Sequence, residues 1–284
     1  LNPDHIQRVV VLGAALVLLS LLELRWPLRQ VTQSKGRRFL INLGMAATAA
    51  LVLRMSLYPL VIKISYVTEN SGWGAIPRLG LPWPLQLMVS LLALDYTLYL
   101  WHRLLHKLPF LWRFHNVHHI DLDMDASTAL RFHFGELILS AFYRSAQVIL
   151  FGIDFWTLLL FETSVTAFAL FHHSNLRLPQ RLESRWNRLL VTPRMHGVHH
   201  SIVQNETDSN FGTILTLWDR LHRTLRLHIP QERITIGVPS YRDPQEQTFL
   251  KSLLIPFQRQ RKWALPDGTV PVRNGESGMS TKKG

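Results

Sequence analysis

The amino-acid sequence predicts an all-α integral membrane protein of four to five membrane helices or hairpin segments, with a histidine-rich cap on its cytoplasmic face. Three observations predict it. Apolar residues make up 47% of the 284 positions and are bunched into runs close to the length of a bilayer crossing. Lysine and arginine crowd the connections on one side of those runs. Ten of the 14 histidines fall in four tight groups that the runs return to that same side.

Residues 6–24, IQRVVVLGAALVLLSLLEL, form the first run, broken by Arg8 near one end and Glu23 at the other. It is just long enough to cross as a helix. Basic residues follow the run and no A-x-A-like cleavage site does, so a retained span is expected rather than a signal peptide. The connector with Arg25, Arg29, Lys35, Arg37 and Arg38 marks the cytoplasm, and a second run extends from Phe39 to about Tyr66. The next loop, VTENSGWGAIPRLGLPWP, carries Arg78 alone and is placed outside. A third run, Leu85 to about Leu105, returns to the cytoplasmic side.

Two shorter runs, Leu137–Ile153 and Phe155–Phe171, joined through Gly152, Ile153 and Asp154, read as a hairpin that leaves and regains the same face. From Asn175 the character changes. LRLPQRLESRWNRLL alternates leucine and tryptophan with arginine at helical spacing, as a basic amphipathic helix on an anionic leaflet does. Such arginines account for much of the +12 net charge, and no nucleic-acid module accompanies it, so no nucleic-acid partner is expected. A short extended piece and a closing helix should occupy 231–263, and the last twenty or so residues should be disordered. The expected division is 1–36, membrane helix and basic connector; 37–257, catalytic membrane domain; and 258–284, polar tail.

The chemistry concentrates in Asp95–His119, DYTLYLWHRLLHKLPFLWRFHNVHH. His102 and His106 form HxxxH, and His115, His118 and His119 form HxxHH. A second HxxHH comprises His196, His199 and His200, and the tandem His172 and His173 lies between. Positions i, i+3 and i+4 share a helix face, so each group is expected to aim its imidazoles at one point. The chain has no cysteine, so any metal must be held by nitrogen and oxygen. Eight or more imidazoles are too many for one ion, which implies two, and neutral imidazole suits iron, zinc or copper.

Further candidates surround these groups. Asp95 is a carboxylate inside a span, seven residues before His102, where it can orient an imidazole or be satisfied by a neighbouring helix. His133 and Glu136, one turn apart, can cap the next helix or face the site. Asn175, Asp208, Asn210 and Asp219 can receive imidazole N–H groups or, for Asp208 and Asn210, make an ordinary turn, and Trp218 can wall the site. Asp121, Asp123 and Asp125 lack the glycine and distal glutamate of a calcium loop and read as a solvated loop. His5, His222 and His228 read as surface residues.

HRLLH, HNVHH, FHHSN and MHGVHH, in this order and with these intervals, resemble the fatty acid hydroxylase superfamily of sterol desaturases, sphingolipid and fatty acid hydroxylases and carotenoid hydroxylases. NLRLP, DSNFGTILTLWDRL and TIGVP also resemble bacterial sterol desaturase family proteins, and the resemblance runs from about Arg37 to Phe257. It implies a cytoplasmic dimetal centre in a bacterial inner-membrane protein that hydroxylates or desaturates a membrane lipid with O2 and two electrons. The implied ligands are His102, His106, His115, His118, His119, His173, His196, His199 and His200. Many members supply the third group as a spaced pair, whereas position 169 here is alanine beside the tandem, so His172 or His133 is the candidate for a further ligand.

Oxygen activation calls for two iron ions, with zinc able only to substitute, since zinc has no redox chemistry. The dimetal centre itself carries the reaction, with no separate acid or base assigned. Without a cluster, haem or flavin module the electrons must come from a separate donor protein or reductase. Two alternatives stand beside this reading. A pterin-dependent glyceryl ether monooxygenase-like enzyme would use the same centre. A histidine-rich metal transporter would place its site near the membrane midplane between repeats, which these run ends do not. Nothing in the sequence sets an oligomeric state.

Overall fold

The computed structural model describes residues 3–56 and 58–273. In chain order come α1 (Pro3–Arg25), α2 (Lys35–Ser56), α3 (Tyr58–Ser71), α4 (Trp83–Lys107), α5 (Pro109–His119), α6 (Phe134–Phe151), α7 (Phe155–His173), α8 (Gln180–Trp186) and α9 (Pro193–His199), with shorter turns beyond. Among the described residues β-pairing is limited to isolated bridges, Pro27 with Leu176, Leu190 with Leu215 and Ser201 with Ile236. The fold is all-α.

By length and composition, α1, α2, α6 and α7 can cross a membrane. Almost none of α1 is buried, and Val9, Val10, Val17, Leu18 and Leu21 stand exposed around it, as lipid-facing side chains do. The expected second run is divided: Pro59 sits in the first turn of α3, where a missing N–H costs nothing, and starts a new helix there. The expected third run is the 25-residue α4, about 37 Å long. It is not among the four apolar spans, because Asp95 and the His102 to Lys107 segment load it with polar groups.

The bundle has two distinct ends. At one, the turn between α6 and α7 meets the loop after α3: Ala75 N–H donates to Leu150 O and Ile76 N–H to Phe151 O. A Cβ on Gly74 would lie 2.2 Å from Gly152 Cα, so this approach requires glycine. Ile76, Leu94, Val148, Ile153, Leu158 and Phe161 pack beneath it. The other end collects the histidines and, beside them, the connector between α1 and α2. There Met45, Val117, Ile120, Val238, Tyr241 and Ile255 form a second core.

The loop after α5 differs from the expected solvated segment. Asp121, Asp123 and Asp125 are all buried. Arg38 of α2 clasps Asp121 through Nε and Nη2, each at 2.8 Å, and also pairs with Asp125, while Asp123 receives Thr32 N–H and Gln33 N–H at 2.8 and 2.7 Å. Burial would raise the Asp121 carboxyl, but the Arg38 charge and its hydrogen bonds outweigh it and bring the pKa down to about 2. The alternating aspartates thus tie the connector to the histidine end.

Two further expectations need correcting. Residues 258–273 are docked, not a free tail: Trp263 Nε1 donates to Ile202 O at 2.9 Å, and Arg273 forks onto the buried Glu206. Residues 274–284 lie outside the described residues. The basic amphipathic segment is helical only over α8, because 176–179 is held extended by the bridge from Leu176 to Pro27 and ends in Pro179. Arg181, Arg185 and Arg188 remain exposed beside Leu182, Trp186 and Leu189.

Candidate metal centre

The joint between α4 and α5 builds the centre. Pro109 disfavours helical geometry at Leu108, which is extended at φ −96° and ψ 116°. The chain folds back there, so the last turns of α4 meet α5, and His102 Nε2 lies 3.2 Å from His115 Nε2. α7 and α9 bring the remaining imidazoles from the other side.

Nine histidines form two groups, each with its donor atoms within 4.8 Å of one another: His102, His106, His115, His119 and His199 in one, His118, His173, His196 and His200 in the other. The expectation that each HxxHH aims at a single point does not hold. His115 and His119 join the first group while His118 joins the second, and His196 and His200 join the second while His199 crosses to the first. In each motif i and i+4 stay together, about 40° apart around the helix, whereas i+3 and i+4 diverge by about 100°. The two motifs therefore interlock across both groups.

The hydrogen bonds fix which nitrogens point inward. His102 Nδ1 donates to Phe211 O at 2.8 Å, His173 Nδ1 to Ala169 O at 2.8 Å and His199 Nδ1 to Ser209 O at 2.7 Å. A carbonyl only accepts, so each ring carries its proton on Nδ1 and turns a bare Nε2 lone pair inward. His199 Nε2, His106 Nε2 and both nitrogens of His200 are buried without a hydrogen-bond partner among the described residues. His173 Nε2, bare because its ring proton sits on Nδ1, also lies 3.0 Å from His196 Nε2 and can accept a hydrogen bond from it. Converging, unsatisfied nitrogen lone pairs are costly in a protein interior and suit bound cations.

Burial, reinforced by mutual repulsion, holds His118, His119, His196, His199 and His200 well below the ordinary imidazole range. Protonation therefore does not compete for these lone pairs near neutral pH.

His172 joins neither group. Its Nδ1 donates to Thr213 O at 3.1 Å, because adjacent helical residues point about 100° apart and His173 takes the inward direction. His133 also stands aside, capping α6 by accepting from Gly135 N–H and contacting Leu253 O through Nε2. Glu136 does reach the centre, accepting from His115 Nδ1 at 2.9 Å. Asp208 lies 3.6 Å from His106 Nδ1 and pairs with Lys107 at 2.7 Å.

Asp95 touches no imidazole of the centre. It accepts from Trp218 Nε1 at 2.7 Å, which satisfies a carboxylate inside a helix, and Trp218 is thereby directed to Asp95. Asp219 holds the loop that receives His102, taking Phe211 N–H and Gly212 N–H at 2.9 and 2.8 Å. Asn210 adopts φ 53° and ties Met195 O to Arg226, and Asn175 pairs reciprocally with the Arg29 backbone. His222 is half-buried against Tyr96 and Tyr99, unlike the expected surface residue, while His228 is exposed and the His5 side chain lies outside the described residues.

Sequence reasoning missed Arg131, a fully buried cation behind α5 that donates to Val117 O at 2.9 Å, to Asn42 and to Ser252. Its only sequence signal is an arginine directly after an apolar turn, which does not distinguish it from a surface residue. It missed Glu23 likewise, which receives Ala126 N–H and Asn175 N–H beside Lys35.

Two openings approach the centre. A cavity of about 520 Å3 lies among α2, α3, α6 and α7 and ends at Phe132, whose ring stacks on His118 at 4.6 Å and 6°. A smaller pocket of about 170 Å3 reaches His106 between Trp112, Asp208 and Trp263.

Fold and site define an all-helical membrane protein built around a histidine cluster fit for metal. Residues 87–224, just under half of the chain and including the clustered histidines, match the fatty acid hydroxylase family. It is 30% identical over 181 residues to an ornithine lipid hydroxylase of Rhizobium tropici, covering 63% of this chain and 53% of that protein. It is 29% identical to rat cholesterol 25-hydroxylase over 56% of this chain and 53% of that protein. It is 26% identical to an alkylglycerol monooxygenase of Xenopus tropicalis over 83% of this chain and 50% of that protein. The chain thus spans about half the length of these relatives. No solved structure matches it.

Proposed function

We propose that this protein is a lipid oxygenase with two iron ions, inserting oxygen into a lipid C–H bond or desaturating it, with the centre at the cytoplasmic end. The observation that carries this reading is the pair of adjacent groups whose donors are all imidazole nitrogens. His102, His106, His115, His119 and His199 would hold one ion, and His118, His173, His196 and His200 the other. When bound, iron supplies the redox chemistry of oxygen that zinc lacks.

The protein's own part is placement. Carbonyls of Phe211, Ala169 and Ser209 orient ligand rings, and Glu136 sets the His115 tautomer. The apolar cavity delivers a hydrocarbon chain to Phe132, and burial of the group around His118, on which Phe132 stacks, excludes water from the reacting carbon. Hydroxylation consumes one O2, two electrons and two protons and yields the alcohol and water. Electrons would come from a separate donor protein.

The test is iron content and reductant-dependent O2 uptake of detergent-purified protein beside a His118→Ala/His199→Ala variant, which removes one donor from each group. About two irons per chain, lost in the variant together with O2 uptake, is the expected result. Full metal loss with no oxygen chemistry under any donor, a reduced pterin included, would overturn it. Metal crossing proteoliposomes would replace it with transport.

A further inference from the structure

The cavity below Phe132 is mostly apolar; Ser140 and Thr166 in its lining are already hydrogen-bonded to Trp101 and to the Glu162 carbonyl, and one level carries a pair of charges. Arg144 of α6 and Glu162 of α7 both line it and form an ion pair, Nε to Oε1, at 2.7 Å. Glu162 lies eleven residues before His173 along α7, about 16 Å from the histidine end, and Arg144 about 15 Å into α6 from Phe134. An ion pair at this depth of a membrane helix is expensive and points to a function.

The two partners are unequally committed. Arg144 also donates to Gln147 Oε1 at 2.6 Å and lies over the Phe161 ring at 4.8 Å, leaving its side chain 12% exposed. Glu162 keeps 35% exposure. The pair has no net charge, its cation is engaged three ways, and the more exposed partner is the carboxylate, whose oxygens accept hydrogen bonds. Such a site selects a neutral donor. An anionic headgroup would meet the Glu162 charge, and a plain hydrocarbon would leave the carboxylate desolvated without a partner. Arg8 also lines the cavity, but it lies within the first turns of α1, where an arginine extends to the interface.

We infer that the cavity binds a long-chain lipid alcohol whose hydroxyl donates to Glu162 and whose hydrocarbon runs past Phe132, presenting to the centre a carbon about 16 Å from that hydroxyl. The inference rests on the proposed lipid-oxidising role for its meaning, but the binding step does not need a loaded centre. Arg144→Leu with Glu162→Leu removes both charges together, which leaves no unpaired charge at this depth.

The test is displacement of a fluorescent polyene alcohol from metal-free, detergent-purified protein by octadecan-1-ol, octadecanoate or octadecane, for the wild type and this double variant. The expected result is that the alcohol competes about tenfold better than either other ligand in the wild type, and that the preference vanishes in the folded variant. Equal competition by alcohol and alkane in the wild type, or an alcohol preference that survives in the variant, would overturn it. Stronger competition by octadecanoate would move the polar end to Arg8 and also overturn it. Where the variant fails to fold, the wild-type ranking alone decides. The alcohol preference in a protein without O2 uptake would sink the oxygenase reading while leaving this inference standing, and O2 uptake without the preference would do the reverse.

Discussion

Glu136 Oε1 accepts a hydrogen bond from His115 Nδ1 at 2.9 Å, and both groups are buried. Of the other carboxylates considered for this role, Asp208 stands 3.6 Å from His106 Nδ1, and Asp95 and Asp219 instead hold Trp218 and the backbone of Phe211 and Gly212. Carboxylates behind ligand imidazoles fix the tautomer and raise ring basicity. Glu136→Gln is therefore expected to weaken metal binding by about 10–100-fold with helicity unchanged. Metal competition against a chelator of known affinity measures it; unchanged affinity would reduce Glu136 to a helix-start residue.

The tandem histidines separate by direction. His173→Ala removes a donor from the group of four, whereas His172→Ala removes a ring that belongs to neither group. Metal analysis of the two purified variants should find His173→Ala depleted and His172→Ala at the wild-type content. Equal depletion would make His172 a ligand.

Metal-free protein should lose stability as acid is added. The folded pKa values of His118, His119, His196, His199 and His200 are depressed chiefly by burial, so between those values and the ordinary imidazole pKa the unfolded chain binds more protons than the folded one. Stability then rises with pH through this window and levels off above about pH 6.5. Thermal unfolding in detergent between pH 7 and pH 5 should show Tm falling steeply on the acid side. A flat profile would mean that these rings are solvated in the metal-free state.

The clasp of Arg38 on Asp121 joins α2 to the loop that follows α5. Arg38→Leu leaves buried carboxylates unpaired, with an expected loss of about 3–5 kcal/mol. Chemical denaturation in mixed micelles tests the magnitude. Arg37→Leu, at an exposed neighbour whose guanidinium only reaches Pro244 O and Gln247 O, should cost about 1 kcal/mol or less.

The sequence by itself determined the helical class and the histidine set. Long apolar runs have no stable membrane-crossing alternative but a helix unless they close into a barrel, and HxxxH and HxxHH place donors on predictable helix faces. It also identified nine residues that the fold brings together. It misassigned Asp121, Asp123 and Asp125, because alternating aspartates look solvated until a cation from another helix, here Arg38, is known to meet them.

Tertiary structure alone decided how the histidines are shared. Spacing within one helix gives the angle between rings, and whether 100° separates two rings by a little or sends them to different neighbours depends on what packs on either side. Here α4 stands on one side of α5 and α7 on the other, so His118 turns away from His115 and His119, and His199 from His196 and His200. The extended Leu108 before Pro109 sets the first of these contacts, and the long-range packing of α9 against α7 sets the second. A local period cannot encode a partner more than fifty residues away, and the two groups exist only where those partners meet.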